Sequence, residues 1–396
     1  MLPVAFVITV LLTLAAAAVA VPTLVLAIET VVAAWPGGAS EDPAGERPGV
    51  AVVIPAHDEG GTIGRTVEAV RGQLAEGDRL IVVADNCTDA TGVEARAARA
   101  EVVERTDAER RGKGYALAFG LEAVRADPRA VVIVLDADCD PSEGCIEALA
   151  RQAASTGRPA QAVYLMDPPA DPTPGDRVSA LAVRFKNLIR PRGLHRLGLG
   201  VLLTGSGMAF PIDTLEGVDL ATGDLVEDMA LGVELARLGR VPALCERAMV
   251  TSRLPGADAA RVSQRTRWEH GHLASIVRHG PRLIIDGVTR GKPTLIGLGL
   301  EICVPPVSLL AIAVVAMAGV AFVWALLTWR VVPMAIAFES GVMLAVAFGV
   351  GWWRYGSAVL PAGELPAVVM YVVRKVPIYV RALLDREKTW VRTARD

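Results

Sequence analysis

Acidic residues follow three short apolar segments in the middle of the chain. Asp85 ends the segment RLIVVAD, Asp136 and Asp138 end AVVIVLDAD, and Glu227 and Asp228 follow in LVEDMAL. Mg²⁺ and Mn²⁺ bind proteins through one or two carboxylates together with phosphate oxygens, so the Asp-Ala-Asp turn suits either metal. A further carboxylate can take the proton from a hydroxyl as that hydroxyl attacks. The series therefore indicates metal-assisted chemistry on a diphosphate ligand.

Each of these motifs has a simpler explanation when taken alone. Acidic turns are commonly only solvated, Asp85 and Asn86 could form an Asx turn, and Glu227 and Asp228 are typical of the first turn of a helix. Capping does not exclude catalysis, because a capping carboxylate still exposes an oxygen. The order of the motifs along one chain favours the metal interpretation.

Basic and aromatic residues complete the candidate set. Lys113 lies between two glycines in RRGKGYAL, where a phosphate could approach closely, although it could equally be an exposed loop lysine. Gln264, Arg267 and Trp268 occupy about one helical turn. Arginine offers charge to a diphosphate and tryptophan offers a flat face to a sugar. The alternative is a helix on a membrane surface, with an interfacial tryptophan and snorkelling arginines.

The composition excludes several classes of protein. The net charge of −3 gives no basic excess with which to neutralise a nucleic acid. The five cysteines form no CxxC pair, which suits a reducing compartment without a structural metal. His270 and His272 would point to different sides of a helix, so we expect no shared metal and interpret them as polar helix-surface or acceptor-site residues.

Apolar residues make up 52% of the chain, and long apolar runs lie towards its two ends. Residues 1–28 carry no charge and are long enough to span a bilayer. The absence of a basic start and a clear cleavage site favours a retained anchor over a cleaved signal. A second span is predicted at about 295–329, bent by Pro305 and Pro306, and a third at about 331–353. Glu339 lies within the third span, either hydrogen-bonded or near the interface, or with a functional role.

Basic residues predict the orientation of these spans. Arginines and lysines crowd the approach to the second span and the segment after the third. Both groups belong on the cytoplasmic side, which requires an even number of crossings between them. The middle of the chain then faces the cytoplasm and the N-terminus lies outside. Residues 359–384 contain three prolines and an Arg-Lys pair, so an interfacial amphipathic segment fits better than a fourth crossing.

The middle of the chain alternates apolar strands with amphipathic helices. This pattern predicts an α/β fold with a mostly parallel sheet covered on both faces. Ligands of such sheets bind at the carboxyl ends of the strands, where 55–59, 85–86 and 136–138 should converge. The predicted organisation is an anchor at 1–34, a linker at 35–49, a catalytic domain at 50–255, interfacial amphipathic helices at 256–292, a transmembrane hairpin at 293–354, and an interfacial segment with a basic cytoplasmic tail at 355–396.

The ordered motifs resemble family 2 glycosyltransferases of the GT-A fold, the group that includes cellulose, hyaluronan and poly-N-acetylglucosamine synthases and ceramide glucosyltransferases. The matching segments are VVIPAHDE, VVADNCTDAT, RGKGYAL, LDADCD, TGSGMAF, VEDMALG and QRTRW, which together cover about residues 50–268.

The resemblance implies a role for each residue. Asp85 would contact the nucleotide base, Asp136 would lie near the diphosphate, Asp138 would bind Mg²⁺ or Mn²⁺, and Asp228 would be the general base. The other donor-side residues would be Pro55, Ala56, Glu59, Lys113, Gln264 and Arg267, and the acceptor-side residues would be Gly205, Ser206, Glu227 and Trp268. The implied reaction is a single in-line displacement that inverts the anomeric centre.

We therefore expect a multi-pass inner-membrane enzyme that transfers a sugar from a nucleotide sugar, UDP-linked by preference, to a membrane lipid or a growing glycan. Exopolysaccharide or cell-envelope assembly is the expected setting. Two alternatives within this class are a glycolipid synthase acting once and a processive polysaccharide synthase. Three spans could hardly enclose a channel, so the processive enzyme would need a homo-oligomer or a partner protein. Alternatives of other classes are an inactive membrane scaffold and a transporter.

Overall fold

The computed structural model describes residues 2–37, 45–222, 226–254 and 258–384. It divides into two compact units, each built from segments that are distant in sequence. The membrane unit comprises Met1–Pro36, Asp171–Leu197 and Glu269–Glu387, and the sheet unit comprises Gly37–Ala170, Gly198–Trp268 and Lys388–Asp396.

The strands all belong to one sheet. They are β1 (Val50–Ala56), β2 (Arg79–Asp85), β3 (Glu101–Arg105), β4 (Val131–Val134), β5 (Asp140–Pro141), β6 (Ala160–Asp167), β7 (Met208–Pro211) and β8 (Ala243–Arg253). The helices are α1 (Leu2–Ala34), α2 (Ile63–Arg71), α3 (Thr91–Ala97), α4 (Lys113–Ala126), α5 (Cys145–Thr156), α6 (Pro174–Arg184), α7 (Arg190–Arg196), α8 (Glu227–Arg237), α9 (Asp258–Arg278), α10 (Gly280–Thr289), α11 (Pro293–Cys303), α12 (Val307–Thr328), α13 (Val332–Gly351) and α14 (Pro366–Leu384).

The sheet has the order β3-β2-β1-β4-β7-β6-β8-β5. Neighbours from β3 to β4 are parallel, as are β6 and β8, whereas β7 is antiparallel to both of its neighbours and β5 is antiparallel to β8. The sheet is therefore mixed, although the predicted parallel part is present. The parallel strands β1, β2 and β4 end at one edge, and this edge carries the candidate site residues.

Fully apolar strands are buried on both faces, as their sequence predicts. Ala51 and Val53 of β1 pack with Leu117 and Leu121 of α4 in one core cluster. The intervening residues of β1 are equally buried. Because successive strand residues point to opposite faces, burial of both sets requires a covering layer on each side. The α/β prediction with helices on both faces is confirmed.

Three helices of the membrane unit are long and apolar enough to cross a membrane: Val4–Ala34, Val307–Thr328 and the helical stretch Val332–Gly356. Helix α1 packs against α7, α12 and α13. The number of spans agrees with the prediction from sequence, but the second span begins at Val307 and not near residue 295. Pro305 and Pro306 separate it from α11, because proline removes a backbone donor and obstructs a continuous helix.

A further correction concerns Asp171–Leu197, which belongs to the membrane unit although the predicted catalytic domain included it. Its helix α7 packs against α1, and Phe185 stacks against Phe348 with ring centroids 6.0 Å apart. Arg190 supplies the polar contact, since its Nε donates to Glu29 of α1 at 3.0 Å and it also pairs with Glu301 of α11. All three side chains are buried. No pattern in the sequence predicts the pairing of these three residues.

His270 and His272 are both buried in the membrane unit, so the helix-surface interpretation is wrong. His272 has Nε2 at 3.2 Å from the carbonyl oxygen of Ile302. Burial, together with nearby Lys186 and Arg190, lowers the pKa of His272 to about 3. Glu339 is exposed on α13.

Candidate active site

Lys113 brings together loops that are far apart in sequence. It is the first residue of α4 and follows Gly112, whose φ of +129° a non-glycine residue rarely adopts. Its Nζ donates to the carboxylate of Asp136, just beyond β4, and to the carbonyl oxygen of Gly205 at 2.6 Å. Glu227 Oε1, at the start of α8, is 4.0 Å away. Lys113, Asp136, Gly205 and Glu227 therefore lie together just beyond the end of β4.

Asp228 follows Glu227 in the first turn of α8 and lies close to Gly205. The backbone of Gly205 has a φ of +92°, and a Cβ at this position would lie 3.2 Å from Asp228 Oδ2. A side chain at Gly205 would therefore crowd the carboxylate. Asp228 Oδ1 accepts a hydrogen bond from the backbone N–H of Met229 at 2.7 Å, within the first turn of α8. Val226 occupies the N-cap position without a side-chain cap hydrogen bond, so Glu227 and Asp228 lie in the first turn of α8 but do not cap it.

The charges in this group perturb one another. Burial opposes the charged form of Lys113, but the adjoining carboxylates of Asp136 and Glu227 outweigh it and raise the pKa of the ammonium above its usual range. Burial and the neighbouring Asp228 raise the pKa of Glu227 to about 7, with Lys113 acting in the opposite direction. A carboxyl that titrates near neutrality in a cleft is a marker of a functional site.

Asp136, Asp138 and Cys139 form the candidate metal centre, because one ligand atom from each lies within 4.8 Å of the others. Cys139 is buried, and burial followed by the nearby Asp136 and Asp138 raises the pKa of its thiol well above the usual range. Thiolate sulfur is a soft ligand that suits other metals, whereas the two aspartates supply hard carboxylate oxygens. Such a donor set fits Mg²⁺ or Mn²⁺ with phosphate oxygens completing the coordination.

Ser206 forms hydrogen bonds to this turn. Its Oγ accepts a hydrogen bond from the backbone N–H of Asp136 at 3.0 Å and donates to Cys139 Sγ at 3.2 Å. The side chain is fully buried and contacts the Asp136 turn, whereas the sequence predicted that it would contact an acceptor. Gln161 holds the same loop, accepting from the backbone N–H of Thr204 at 2.9 Å and donating to the carbonyl oxygen of Ser206 at 2.8 Å. Gln161 was missed because nothing near it in sequence resembles a motif.

Asp85, predicted to contact a base, ends β2 and is buried. It pairs with Arg105, whose Nη1 lies 2.6 Å from Asp85 Oδ1. Arg105 occupies the register position beside Asp85 on the parallel strand β3. Sequence analysis did not single out Arg105, although an arginine ending the strand next to an acidic strand end is a signal that could have identified it.

The residues at the end of β1 lie at the same sheet edge. Pro55 and Ala56 are the last two residues of β1 and pair in register with Val83 and Ala84 of β2. The backbone N–H of Glu59 donates to Thr91 Oγ1 at 2.8 Å. The Glu59 carboxylate accepts from Thr62 Oγ1 at 3.3 Å, beside the start of α2. Thr62 Oγ1 lies closer, at 2.9 Å, to the carbonyl oxygen of Glu59, and the predicted donor contact of the carboxylate stays a prediction.

A second acidic group, formed by Asp58, Cys87 and Asp89, lies near these loops. Asp58 accepts from the backbone N–H of Thr88 at 2.6 Å, and Asp89 accepts from the backbone N–H of Gly60 at 2.8 Å. These carboxylates therefore tie the two loops together, and the group has no feature that points to a ligand.

The QRTRW segment lies on α9. Arg267 and Trp268 are half-buried there, and the side chain of Gln264 lies outside the described residues. The predicted contacts of all three with the diphosphate or the acceptor stay predictions.

Glu227 and Asp228 open into a cleft of about 400 Å³, a volume that includes the space open to solvent. Its other walls include the apolar residues Leu117, Leu220 and Leu231. The two carboxylates therefore face a cleft whose other walls are partly apolar.

The mixed sheet and the acidic loops at the ends of its strands are those of a GT-A glycosyltransferase. Over residues 48–271 the chain matches the family described as "Glycosyltransferase like family 2". This match spans more than half of the chain, and the protein belongs to that family. The predicted resemblance is confirmed at this level, whereas the narrower group of cellulose and hyaluronan synthases is not.

Individual relatives are more distant. A 96-residue stretch is 41% identical to glucosyl-3-phosphoglycerate synthase of Mycolicibacterium paratuberculosis (strain ATCC BAA-968 / K-10), and covers 22% of this chain and 28% of that protein. A mannosyltransferase from Pyrobaculum calidifontis, solved with GDP-Man and Mn²⁺, is 20% identical with a TM-score of 0.55, covering 96% of this chain and 99% of the other. Glucosyl-3-phosphoglycerate synthase from Mycobacterium tuberculosis, solved with Mn²⁺, UDP and phosphoglyceric acid, is 22% identical with a TM-score of 0.38, covering 56% and 76%.

Proposed function

We propose that this protein is a membrane-bound inverting glycosyltransferase that transfers a sugar from a UDP-sugar to a membrane-associated lipid or glycan. One observation carries the proposal. The carboxylates of Asp136 and Glu227 lie within 4.0 Å of the Lys113 ammonium at one edge of the sheet, and Asp228 lies beside them. A scaffold that had lost catalysis would have no need to keep three buried or half-buried carboxylates around one lysine.

Asp138 and Asp136 are the residues that would hold a divalent metal. The fit rests on their hard carboxylate oxygens, which Mg²⁺ and Mn²⁺ prefer. When bound, Mg²⁺ or Mn²⁺ supplies positive charge to the departing diphosphate. Lys113 supplies a further positive charge at this edge, and its raised pKa keeps it protonated.

Asp228 serves as the general base in this proposal. The acceptor hydroxyl oxygen attacks the anomeric carbon, its proton passes to the Asp228 carboxylate, and the bond to the diphosphate breaks with its electron pair on the diphosphate. One base and one displacement invert the anomeric centre. Glu227 and the apolar walls of the cleft would position the acceptor, with Gly205 leaving room beside Asp228.

The acceptor would be membrane-associated because three helices of the chain are long and apolar enough to span a bilayer. The exposed apolar residues Val369, Met370, Val373, Val376 and Val380 of α14 support an interfacial position for that helix. The setting would be exopolysaccharide or cell-envelope assembly at the inner membrane, with the sheet unit in the cytoplasm. A processive synthase and a single-addition glycolipid synthase both fit this description.

The test is nucleotide release by the full-length protein in lipid nanodiscs containing bacterial lipids. UDP-, GDP- and dTDP-sugars would be compared with Mg²⁺, Mn²⁺ or EDTA. Asp138→Ala removes the proposed metal ligand, and Asp228→Asn removes the proposed base. Asp127→Asn is the matched control, since Asp127 is an exposed partner of Arg129 just before β4.

We expect release from a UDP-sugar that EDTA abolishes. Loss of a general base lowers the rate of a reaction by about 10²- to 10⁴-fold. Asp228→Asn should therefore lower the rate of nucleotide release by at least about 10²-fold. Asp138→Ala should lower it similarly, and Asp127→Asn should retain wild-type activity. Tight metal-dependent nucleotide binding without release from any donor would favour the scaffold and would contradict the proposed catalysis.

A further inference from the structure

One oxygen of the Asp85 carboxylate, Oδ1, already accepts two hydrogen bonds from neighbouring side chains. Arg105 Nη1 donates to Asp85 Oδ1 at 2.6 Å, and Asn86 Nδ2 donates to the same oxygen at 3.1 Å. A carboxylate oxygen accepts about two hydrogen bonds. The described hydrogen bonds to this carboxylate therefore use the capacity of Oδ1 and leave Oδ2 for a ligand.

Arg105 is held so that it cannot easily leave this position. Its side chain is only 10% exposed. Its Nη2 donates to the carbonyl oxygen of Arg110 at 2.8 Å and to Asp107 Oδ2 at 3.2 Å, and its guanidinium lies 5.7 Å from the centre of the Tyr115 ring. Moving the guanidinium would break these bonds and strand a buried carboxylate, which is costly. The one-sided state of Asp85 is therefore part of the folded structure.

We infer that Arg105 makes the donor site selective for uracil over guanine nucleotides, an inference that rests on the proposed function, in which Asp85 contacts the base. Uracil presents a single N–H, at N3, between two carbonyl oxygens. Oδ2 alone satisfies that donor. Guanine presents N1–H and a 2-amino group side by side, a pair that matches a carboxylate only when both oxygens can accept. With Oδ1 filled, the 2-amino group is buried without an acceptor.

Inosine diphosphate separates this effect from the size of a purine, because hypoxanthine is guanine without the 2-amino group. Burying an unpaired donor weakens binding on the order of tenfold. The wild-type protein should therefore bind IDP about tenfold more tightly than GDP, and UDP more tightly than either. Arg105→Met frees one acceptor position on Oδ1, so its affinity for GDP should rise to at least that for IDP.

The experiment is calorimetric titration of the full-length protein in nanodiscs with UDP, IDP and GDP in Mn²⁺. Arg96→Met is the control variant, because Arg96 is half-exposed and pairs at 2.6 Å with Glu104 rather than with Asp85. It should keep the tenfold preference for IDP over GDP. Arg105→Lys keeps a charged donor beside Oδ1 and should also keep the preference. If the methionine variant does not fold, the wild-type ratio of the IDP and GDP affinities still tests the inference.

Equal affinities of the wild type for IDP and GDP would overturn the inference while leaving the donor site in place. So would an unchanged preference for IDP in folded Arg105→Met. If UDP, IDP and GDP all fail to bind in the presence of Mn²⁺, the proposed function fails together with the inference. The two failures are therefore distinguished by the same titrations.

Discussion

Glu227 illustrates how one residue can be held away from its ordinary ionisation state. Burial and the adjacent Asp228 raise its pKa to about 7, while Lys113 opposes this from 4.0 Å. In the unfolded chain the pKa of this carboxyl returns to about 4.5. The folded protein therefore binds this proton more tightly than the unfolded protein. Its contribution to stability is fully present below about pH 4.5 and is lost as the pH rises through about 7.

Glu227→Gln removes this titration. We expect the free energy of unfolding of the variant, relative to wild type, to increase between pH 5 and pH 8 by about 1–3 kcal/mol. Thermal unfolding of both proteins across this range provides the measurement. Glu147→Gln is the control, because Glu147 is half-exposed on α5 and pairs with Arg151, so its difference from wild type should change little. A pH-independent difference for Glu227→Gln would sink the idea that burial shifts this carboxyl.

Acidic residues at strand ends could be predicted from sequence, whereas contacts between segments that are distant in the chain could not. Asp85 and Asp136 were identified because an acidic residue directly after an apolar strand reaches the ligand edge of a parallel sheet. Arg105 ends the strand beside Asp85 and Ser206 lies in the TGSGMAF segment, but neither position in the sequence predicts the contacts that these side chains make. Arg105 acquires its role from the register between β2 and β3, and Ser206 from the folding of its loop behind Asp136. Register and loop packing depend on the whole fold.

At the level of elements, α4 is positioned by a close approach to the sheet. Gly120 lies in the middle of this helix, and a Cβ there would come within 2.7 Å of Val83 Cγ2 and 2.8 Å of Val53 Cγ1. Glycine lets the helix approach β1 and β2 at this point. The same helix presents Lys113 at its first turn, so its distance from the sheet fixes the position of the ammonium.

Gly120→Ala should destabilise the protein by about 1–3 kcal/mol, because overpacking forces the valines or the helix to move. Gly64→Ala is the matched comparison. Gly64 is also helical, in α2, but a Cβ there would meet no atom within 4 Å. Removing a helical glycine without a clash should stabilise by up to about 1 kcal/mol. Melting temperatures of the two variants should therefore move in opposite directions, and a shift of the same sign in both would contradict the packing argument.

The apolar strands β1, β2 and β4 and the helix α4 could be predicted from periodicity, but two features of the elements could not. The antiparallel strand β7 carries no mark of direction in its four residues. The second span was drawn from about residue 295 because α11 is apolar enough to resemble part of it. Hydropathy does not show whether a proline pair bends a helix or ends it.

At the scale of the whole molecule, the three candidate spans and the positions of the basic residues predict how the chain is oriented in a membrane. The candidate spans α12 and α13 are separated by a turn at Trp329, which has a φ of +59° and is 89% exposed. Residues before α11 and after α13 are rich in arginine and lysine. From the positive-inside rule we expect both groups in the cytoplasm and the turn outside. The assignment of Asp171–Leu197 to the membrane unit was beyond sequence analysis, because it depends on the packing of α7 against α1.

This orientation predicts the labelling of single introduced cysteines. Arg330→Cys, at the turn, should react with a membrane-impermeant maleimide in intact spheroplasts. Arg290→Cys, exposed before α11, should react only after lysis. The unmodified protein supplies the background, because its own cysteines are buried or half-buried. Labelling of Arg290→Cys but not Arg330→Cys in spheroplasts would invert the orientation and leave the sheet unit without access to cytoplasmic nucleotide sugars. Labelling of neither before lysis would mean that the hairpin does not cross the membrane, because in either orientation of a crossing hairpin one of the two positions faces outward.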